Sequence, residues 1–196
     1  ISRIQQHSAG IRSYIAQSAE GSLVLTISGR QFFASLAHNR QRYSVYGLNG
    51  IGAVFRGRDI TPKNPGAEPD YRIPNVAAYA NQHAAANKPT AKAATVATQD
   101  DPARLDLLVY YTASSDALYN GDAQGRIYHM ISVANQIFAD SDVAATLNPV
   151  KLIKVEYADT MQGFALSDLE QGVAPFTDVD TVRYEQGADL VTLIQP

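Results

Sequence analysis

The run LDLLVYY at residues 105–111 is almost continuously apolar, and it is the strongest indication of the architecture of the second half of the chain. This composition is typical of a strand covered on both faces. Bulky side chains then recur at helical spacing over residues 122–141, and a second apolar run follows at 150–157. Two shorter helical patterns, at 166–171 and 178–186, lead to a third apolar run at 190–194. Strands that alternate with helices in this way predict parallel neighbours joined by right-handed crossovers.

Short β-rich runs dominate the part of the chain before this unit. They cover residues 22–27, 31–36, 42–46 and 51–55, and turn-forming residues such as Asn49-Gly50 separate them. An Asn-Gly pair between alternating apolar runs indicates a hairpin, because both residues tolerate a positive φ. We therefore predict a four-stranded antiparallel meander with one buried and one solvated face. Residues 1–20 show a weak helical period.

Composition divides the 196 residues into three parts. Residues 84–98 are rich in Ala, Asn, Lys and Thr and contain Val96 as their one bulky apolar residue, which predicts an exposed, flexible linker. We place a β-rich domain at 1–75, a linker at 76–103 and an α/β domain at 104–196. The predicted class is α+β overall, with a small antiparallel β domain before an α/β unit whose sheet is mostly parallel.

The composition also excludes several classes of protein. Sixteen basic and nineteen acidic residues give a net charge of −3, so there is no basic excess to neutralise the phosphates of a nucleic acid. The chain has no cysteine, which excludes disulfides, thiolate metal sites and a cysteine nucleophile. No apolar run is long enough to predict a membrane span.

The residues taken alone form no complete active site. The first βα turn, at residues 112–125, has neither a phosphate-binding glycine motif nor a lysine. Its Ser114-Ser115 pair lies outside the GxSxG elbow of a serine hydrolase. We therefore expect Ser or Asp in this turn to cap the following helix. Asp178 and Asp180 are typical of a helix N-terminus, and two carboxylates are too few to form a calcium site. No two histidines have metal-ligand spacing on a helix, and His129 is predicted to lie at the surface or boundary of its helix.

Four ordered motifs in the α/β unit resemble the opening of bacterial reprolysin-like metzincin catalytic domains, in particular those of secreted zinc endopeptidases of the peptidyl-Asp metalloendopeptidase type. The resemblance covers about residues 104–196. The run GSLVLTISG at residues 21–29 is similar to a β segment of the family's propeptides. The four motifs are LDLLVYYT at 105–112, SVANQIF at 132–138, KVEY at 154–157 and RYEQGADLVTLI at 183–194.

The resemblance implies hydrolysis of peptide bonds by zinc-bound water. In metzincins three histidines of HExxHxxGxxH bind the zinc and the glutamate polarises the water. This chain does not contain that motif. Because the motif follows the third strand in the family, the resemblance implies that the zinc ligands begin beyond Pro196 and that no catalytic or metal residue transfers to this segment. The segment would be an inactive part of a secreted or periplasmic zymogen, and its partners would be its own C-terminal catalytic half and a protein or peptide substrate.

The resemblance also suggests how such a precursor is processed. Family members cut before Asp, which makes Asp100 and Asp101 a candidate self-processing site. A cysteine latch is excluded because the chain has no cysteine, and a carboxylate or histidine latch, for example Asp70 or His83, is a separate hypothesis. Two alternatives stay open: a non-catalytic binding or protease-inhibitory prodomain module, and an unrelated α/β domain that binds a small ligand. A downstream HExxHxxGxxH motif would distinguish the protease from both.

Overall fold

The computed structural model describes residues 1–39, 41–57, 102–158 and 162–196. The first two ranges form a six-stranded antiparallel sheet whose strands follow one another in chain order. A single 3-10 turn, Ser8–Gly10, joins the first two strands. The strands are β1 (Arg3–Gln6), β2 (Arg12–Ser18), β3 (Gly21–Ser28), β4 (Gln31–His38), β5 (Gln41–Leu48) and β6 (Ile51–Arg56).

The four predicted strands of the meander are confirmed as β3 to β6, but the helical prediction for residues 1–20 is wrong. These residues supply β1 and β2, and β2 pairs with β3 along its whole length. The spacing of four between Ile11 and Ile15 misled the prediction, because an even spacing also places two side chains on one face of a strand. Ile11, Ser13 and Ile15 are buried in that way.

One face of this sheet is buried and the other faces solvent in the described residues, as the sequence predicts, although apolar side chains lie on both faces. Ile15, Val24 and Phe33 lie on the buried face. On the opposite face Ile27 pairs with Phe32, and the Phe32 ring lies over Gly47 of β5, where a Cβ atom would fall 2.0 Å from the ring. Cross-strand apolar pairs of this kind shield one another, so the opposite face is only partly exposed.

The remaining described residues form a three-stranded parallel sheet with helices, as the sequence predicts. The chain as described is thus of the α+β class. None of the described helices is long and apolar enough to cross a bilayer. The elements are β7 (Ala103–Thr112), α1 (Ala113–Leu118), α2 (Ala123–Asp140), β8 (Ala145–Val155), α3 (Gln162–Gln171), α4 (Val179–Gln186) and β9 (Leu190–Ile194).

Two details of the parallel sheet come from the structure. The central strand is β7, which pairs with both β8 and β9. Strand β8 begins before the apolar run at 150–157 and includes Pro149. Proline has no backbone N–H to donate, and the β7–β8 register shifts opposite it, between Leu107 and Leu108.

Alternate residues of β7 point into two separate cores. Leu107, Val109 and Tyr111 pack against Ile127 and Ile131 of α2. The intervening residues pack against α3, α4 and the loop between them, in a core formed by Leu108, Tyr110, Val155, Leu169, Phe176, Val179, Val182 and Ala188. The near-continuous apolar run is therefore explained by burial on both faces. Helix α2 covers one face of the parallel sheet and turns its other side to the six-stranded sheet.

Candidate functional site

The side of α2 that meets the six-stranded sheet is mostly polar. Its buried residues recur at spacings of three and four, as one helix face requires. We call this the docking face of α2, formed by Gly125, Tyr128, His129, Ser132 and Gln136. Buried polar groups must find hydrogen-bond partners to avoid a large desolvation penalty. The six-stranded sheet supplies those partners.

His129 stands at the centre of the docking face and is only 1% exposed. Its Nδ1 lies 3.1 Å from Thr26 Oγ1 on β3, and its Nε2 lies 2.9 Å from Ser35 Oγ on β4. Burial and the positive charge of Arg126, one turn earlier on α2, lower the pKa of His129 to about 3. The imidazole is therefore neutral at physiological pH, with one nitrogen donating and the other accepting.

A chain of hydroxyl groups extends the contact towards β1 and β2. Ser13 Oγ lies 2.8 Å from Thr26 Oγ1 and 3.0 Å from Ser132 Oγ. Ser132 also donates to Gln5 Oε1 at 3.1 Å. Ser13 and Ser132 are almost completely buried, so these groups exchange bonds with one another in place of water.

The first turn of α2 makes the closest approach to the sheet. Asp122 caps the helix, because its Oδ1 accepts from the backbone N–H of Gly125 at 3.0 Å. Ser28 of β3 donates to the same oxygen at 2.9 Å. Burial, with the charge of Asp116 nearby, raises the pKa of Asp122 despite these two hydrogen bonds. The residue that caps α2 therefore also contacts the six-stranded sheet.

A polar cleft of about 430 Å³ opens at the β1 end of the contact. Its lining includes Gln6, His7, Gln124, Tyr128 and Lys151. The His7 ring stacks on the Tyr128 ring at a centroid distance of 4.5 Å, and burial lowers the pKa of His7. This lining has amide, imidazole and ammonium groups but no acidic residue, so the described cleft has no carboxylate to serve as a general base.

The candidate processing and latch residues cannot be placed on this structure. Asp100 and Asp101, Asp70 and His83 all lie outside the described residues, as does most of the linker predicted at 76–103.

The polar residues that the sequence singles out in the α/β unit lie at helix ends or join its elements by hydrogen bonds. The prediction of a capping Asp in the first βα turn is confirmed by Asp122. Ser115, which the sequence already placed outside a hydrolase elbow, donates to the Ile194 carbonyl at 3.1 Å and so ties α1 to β9. Asp178 precedes α4 and accepts from the Tyr110 hydroxyl at 3.1 Å, and Asp180 lies in the first turn of that helix.

The prediction that His129 lies at the surface or boundary of its helix is wrong. The amphipathic pattern marks the apolar side of α2 as the core, but a second sheet buries the polar side as well. A signal was present in the strands: Ser13, Thr26 and Ser35 occupy inward positions of the sheet where apolar residues are usual. Hydroxyl groups in such positions indicate a polar partner on the facing element.

The described residues do not fit a zinc ion. No group of three or more His, Asp or Glu side chains among them is arranged to hold a metal. Comparison of the chain with models of protein families, with curated proteins and with solved structures gives no match.

Proposed function

We propose that this chain is the propeptide and the first part of the catalytic domain of a secreted, bacterial, zinc-dependent metalloendopeptidase of the metzincin type. The six-stranded sheet is the propeptide, and the unit from β7 to β9 belongs to the catalytic domain. The reaction of the whole enzyme would be hydrolysis of peptide bonds in a protein or peptide substrate.

The observation that carries this proposal is the polar contact between the sheet and α2. Surfaces that stay together permanently are more apolar, whereas contacts that separate have more polar groups. Here His129 and Ser132 meet hydroxyl groups of three different strands. A folded unit held in this way is suited to covering an enzyme and leaving it later.

The positions of the motifs give further support. LDLLVYYT lies on β7, SVANQIF on α2, KVEY at the end of β8, and RYEQGADLVTLI runs from α4 through β9. The propeptide-like run GSLVLTISG contains β3, whose Thr26 contacts the docking face of α2. The segments that resemble the two parts of the zymogen are therefore in direct contact.

Zinc would be bound by a part of the enzyme other than the residues described here, which do not fit the ion. The family resemblance assigns the ligands to the sequence beyond Pro196. We therefore derive no catalytic step from this segment, and we expect it to be inactive alone.

Cleavage of the chain at Asp100 or Asp101 would break the covalent link between the two units. Both residues fall between β6, which ends at Arg56, and β7, which begins at Ala103. After cleavage the sheet would be held by its contact with α2, and activation would then require that contact to open.

The test is to express the complete gene and measure zinc content and endopeptidase activity before and after processing. We expect about one zinc per molecule, little activity in the precursor, and activity after cleavage that 1,10-phenanthroline abolishes. Asp100→Ala with Asp101→Ala should block processing, and Asp180→Ala, at an exposed position of α4, is the matched control. A gene product without zinc and without peptidase activity would refute the proposal.

The alternative of a non-catalytic, protease-inhibitory module rests on the same polar contact. It predicts a zinc-free product that inhibits a separate protease when added to it. The zinc measurement therefore distinguishes the two functions.

A further inference from the structure

The contact between the sheet and α2 encloses a titratable group that has no acidic partner among the described residues. Within that part of the chain, the two ring nitrogens of His129 meet the hydroxyls of Thr26 and Ser35. The ring of Phe33 lies 6.0 Å away, roughly parallel to the imidazole, and closes the site on the β4 side. The imidazole is therefore buried as a neutral group between two units of the chain.

The nearest charge to His129 favours the neutral ring, and the other titratable groups of the contact lie farther from it or are uncharged phenols. On α2 itself the nearest charge is Arg126, which is positive. The elements packed against it bring His7, linked through Ser13, and the phenols Tyr46 and Tyr119 around Phe33. The acidic residues of this contact, Asp122 and Asp140, lie at the two ends of α2.

We propose that this contact is an acid-sensitive switch, in which protonation of His129 releases the six-stranded sheet from α2. A protonated ring could still donate to both hydroxyls, so hydrogen bonding would not be lost. The cost arises because a positive charge would be buried beside Arg126, and no carboxylate of the described residues lies against the ring to neutralise it. Once the sheet has left, water can solvate the charged ring.

The direction of the pH effect follows from proton linkage. The pKa of His129 is about 3 in the closed contact, against 6.5 for a solvated histidine. Between these values the open form binds one more proton than the closed form, so acid favours opening. The contact has its full stability above pH 6.5 and loses it as the pH falls. For one proton, the closing equilibrium constant decreases about 25-fold between pH 7 and pH 5.

This regulation concerns the proposed propeptide, so its meaning for activation rests on the proposed function. The opening itself does not, because it requires only the contact described here. The experiment therefore measures the contact and no enzyme activity.

Because the chain has no cysteine, opening of the contact can be followed by labelling a single introduced thiol. Val24 is buried on the face of β3 that carries Thr26, so the thiol of a Val24→Cys variant should react with a pyridyl disulfide only when the sheet leaves α2. Leu169 lies in the separate core beneath α3, so a Leu169→Cys variant reports global unfolding. The labelling rate of each variant, relative to its rate in urea at the same pH, gives the protection of its thiol.

We expect the protection of the thiol in Val24→Cys to decrease about 25-fold from pH 7 to pH 5, while that in Leu169→Cys changes less than fivefold. Adding His129→Gln, which keeps a donor and an acceptor but cannot titrate, should make the decrease in the Val24→Cys variant at least fivefold smaller, any remainder coming from other groups of the contact such as His7. Constant protection in Val24→Cys, a parallel decrease in Leu169→Cys, or the same decrease with and without His129→Gln would overturn the proposal.

A second measurement covers the case in which the His129→Gln variant does not fold. The imidazole carbons of His129 can be followed by NMR in the unmodified chain. The ring should remain neutral in the closed form at pH 5, with a protonated population growing only as the sheet opens. Titration of a fully closed form near pH 6.5 would contradict the proposal.

Discussion

Gly125 of α2 and Ser28 of β3 are packed so closely that the helix has no room for a methyl group. A Cβ atom built on Gly125 would fall 2.8 Å from Ser28 Cβ and 2.5 Å from Asp122 Oδ2. The glycine is therefore required by the approach of the sheet, although glycine is a poor residue within a helix. This close approach, the buried His129 and the hydroxyl chain give the contact its specificity.

Substitution Gly125→Ala should destabilise the chain although alanine favours helices. We expect a loss of about 1–3 kcal/mol in the free energy of unfolding, because either Ser28 or α2 must move to accept the methyl group. Urea denaturation followed by circular dichroism gives this value. Ala139→Gly, on the exposed end of α2, should cost about 1 kcal/mol from helix propensity alone. An increase in stability for Gly125→Ala would show that the helix has space there.

Substitution Thr26→Val should weaken the contact by about 1–3 kcal/mol. Valine has nearly the same shape, but it leaves His129 Nδ1 and Ser13 Oγ without the hydroxyl between them. The measurement is again urea denaturation at pH 7. Thr181→Val, at an exposed position of α4, is the matched control and should change stability by less than about 0.5 kcal/mol. Equal effects of the two substitutions would mean that the buried hydroxyl contributes nothing.

Substitution Asp122→Asn should be neutral or stabilising at pH 7, whereas Asp122→Ala should cost about 1 kcal/mol through loss of the helix cap. The pKa of Asp122 is raised, so its folded form holds a proton more readily than its unfolded form. Its favourable contribution is present in acid and is lost as the pH rises through the folded pKa. Asparagine caps as well as aspartate and carries no charge. A clear loss of stability for Asp122→Asn at pH 7 would contradict this account.

Cleavage between the two units should leave them associated at pH 7.5. We suggest placing the recognition sequence of a specific protease within residues 91–96, cutting the purified chain, and applying it to gel filtration. The fragments should elute together, because apolar groups such as Val24 and Phe33 are buried in the contact along with its hydrogen bonds. An uncut sample is the control. Separate elution of two folded fragments would show that the linker, and not the contact, holds the units together.

Local patterns in the sequence were sufficient for most of the secondary structure. The apolar run at 105–111 predicted a strand buried on both faces, and β7 is that strand. The start of α2 after Asp122 and the end of α4 at Gly187 follow from capping preferences, since Gly187 has the positive φ of 62° that a helix end favours. The first two strands were missed because a spacing of four residues fits one face of a helix and one face of a strand equally.

The strands of both sheets from β3 onwards, the long helix and the α+β class could be predicted from the sequence, because they depend on periodicities within short segments. The burial of the polar side of α2, and the position of His129 between Thr26 and Ser35, follow from packing between distant segments. His129 is 103 positions from Thr26 and 94 from Ser35 along the chain, and each of the three is an ordinary polar residue in its own segment. Their chemistry changes when two sheets enclose one helix, because removal of water turns a titratable side chain into a buried neutral one.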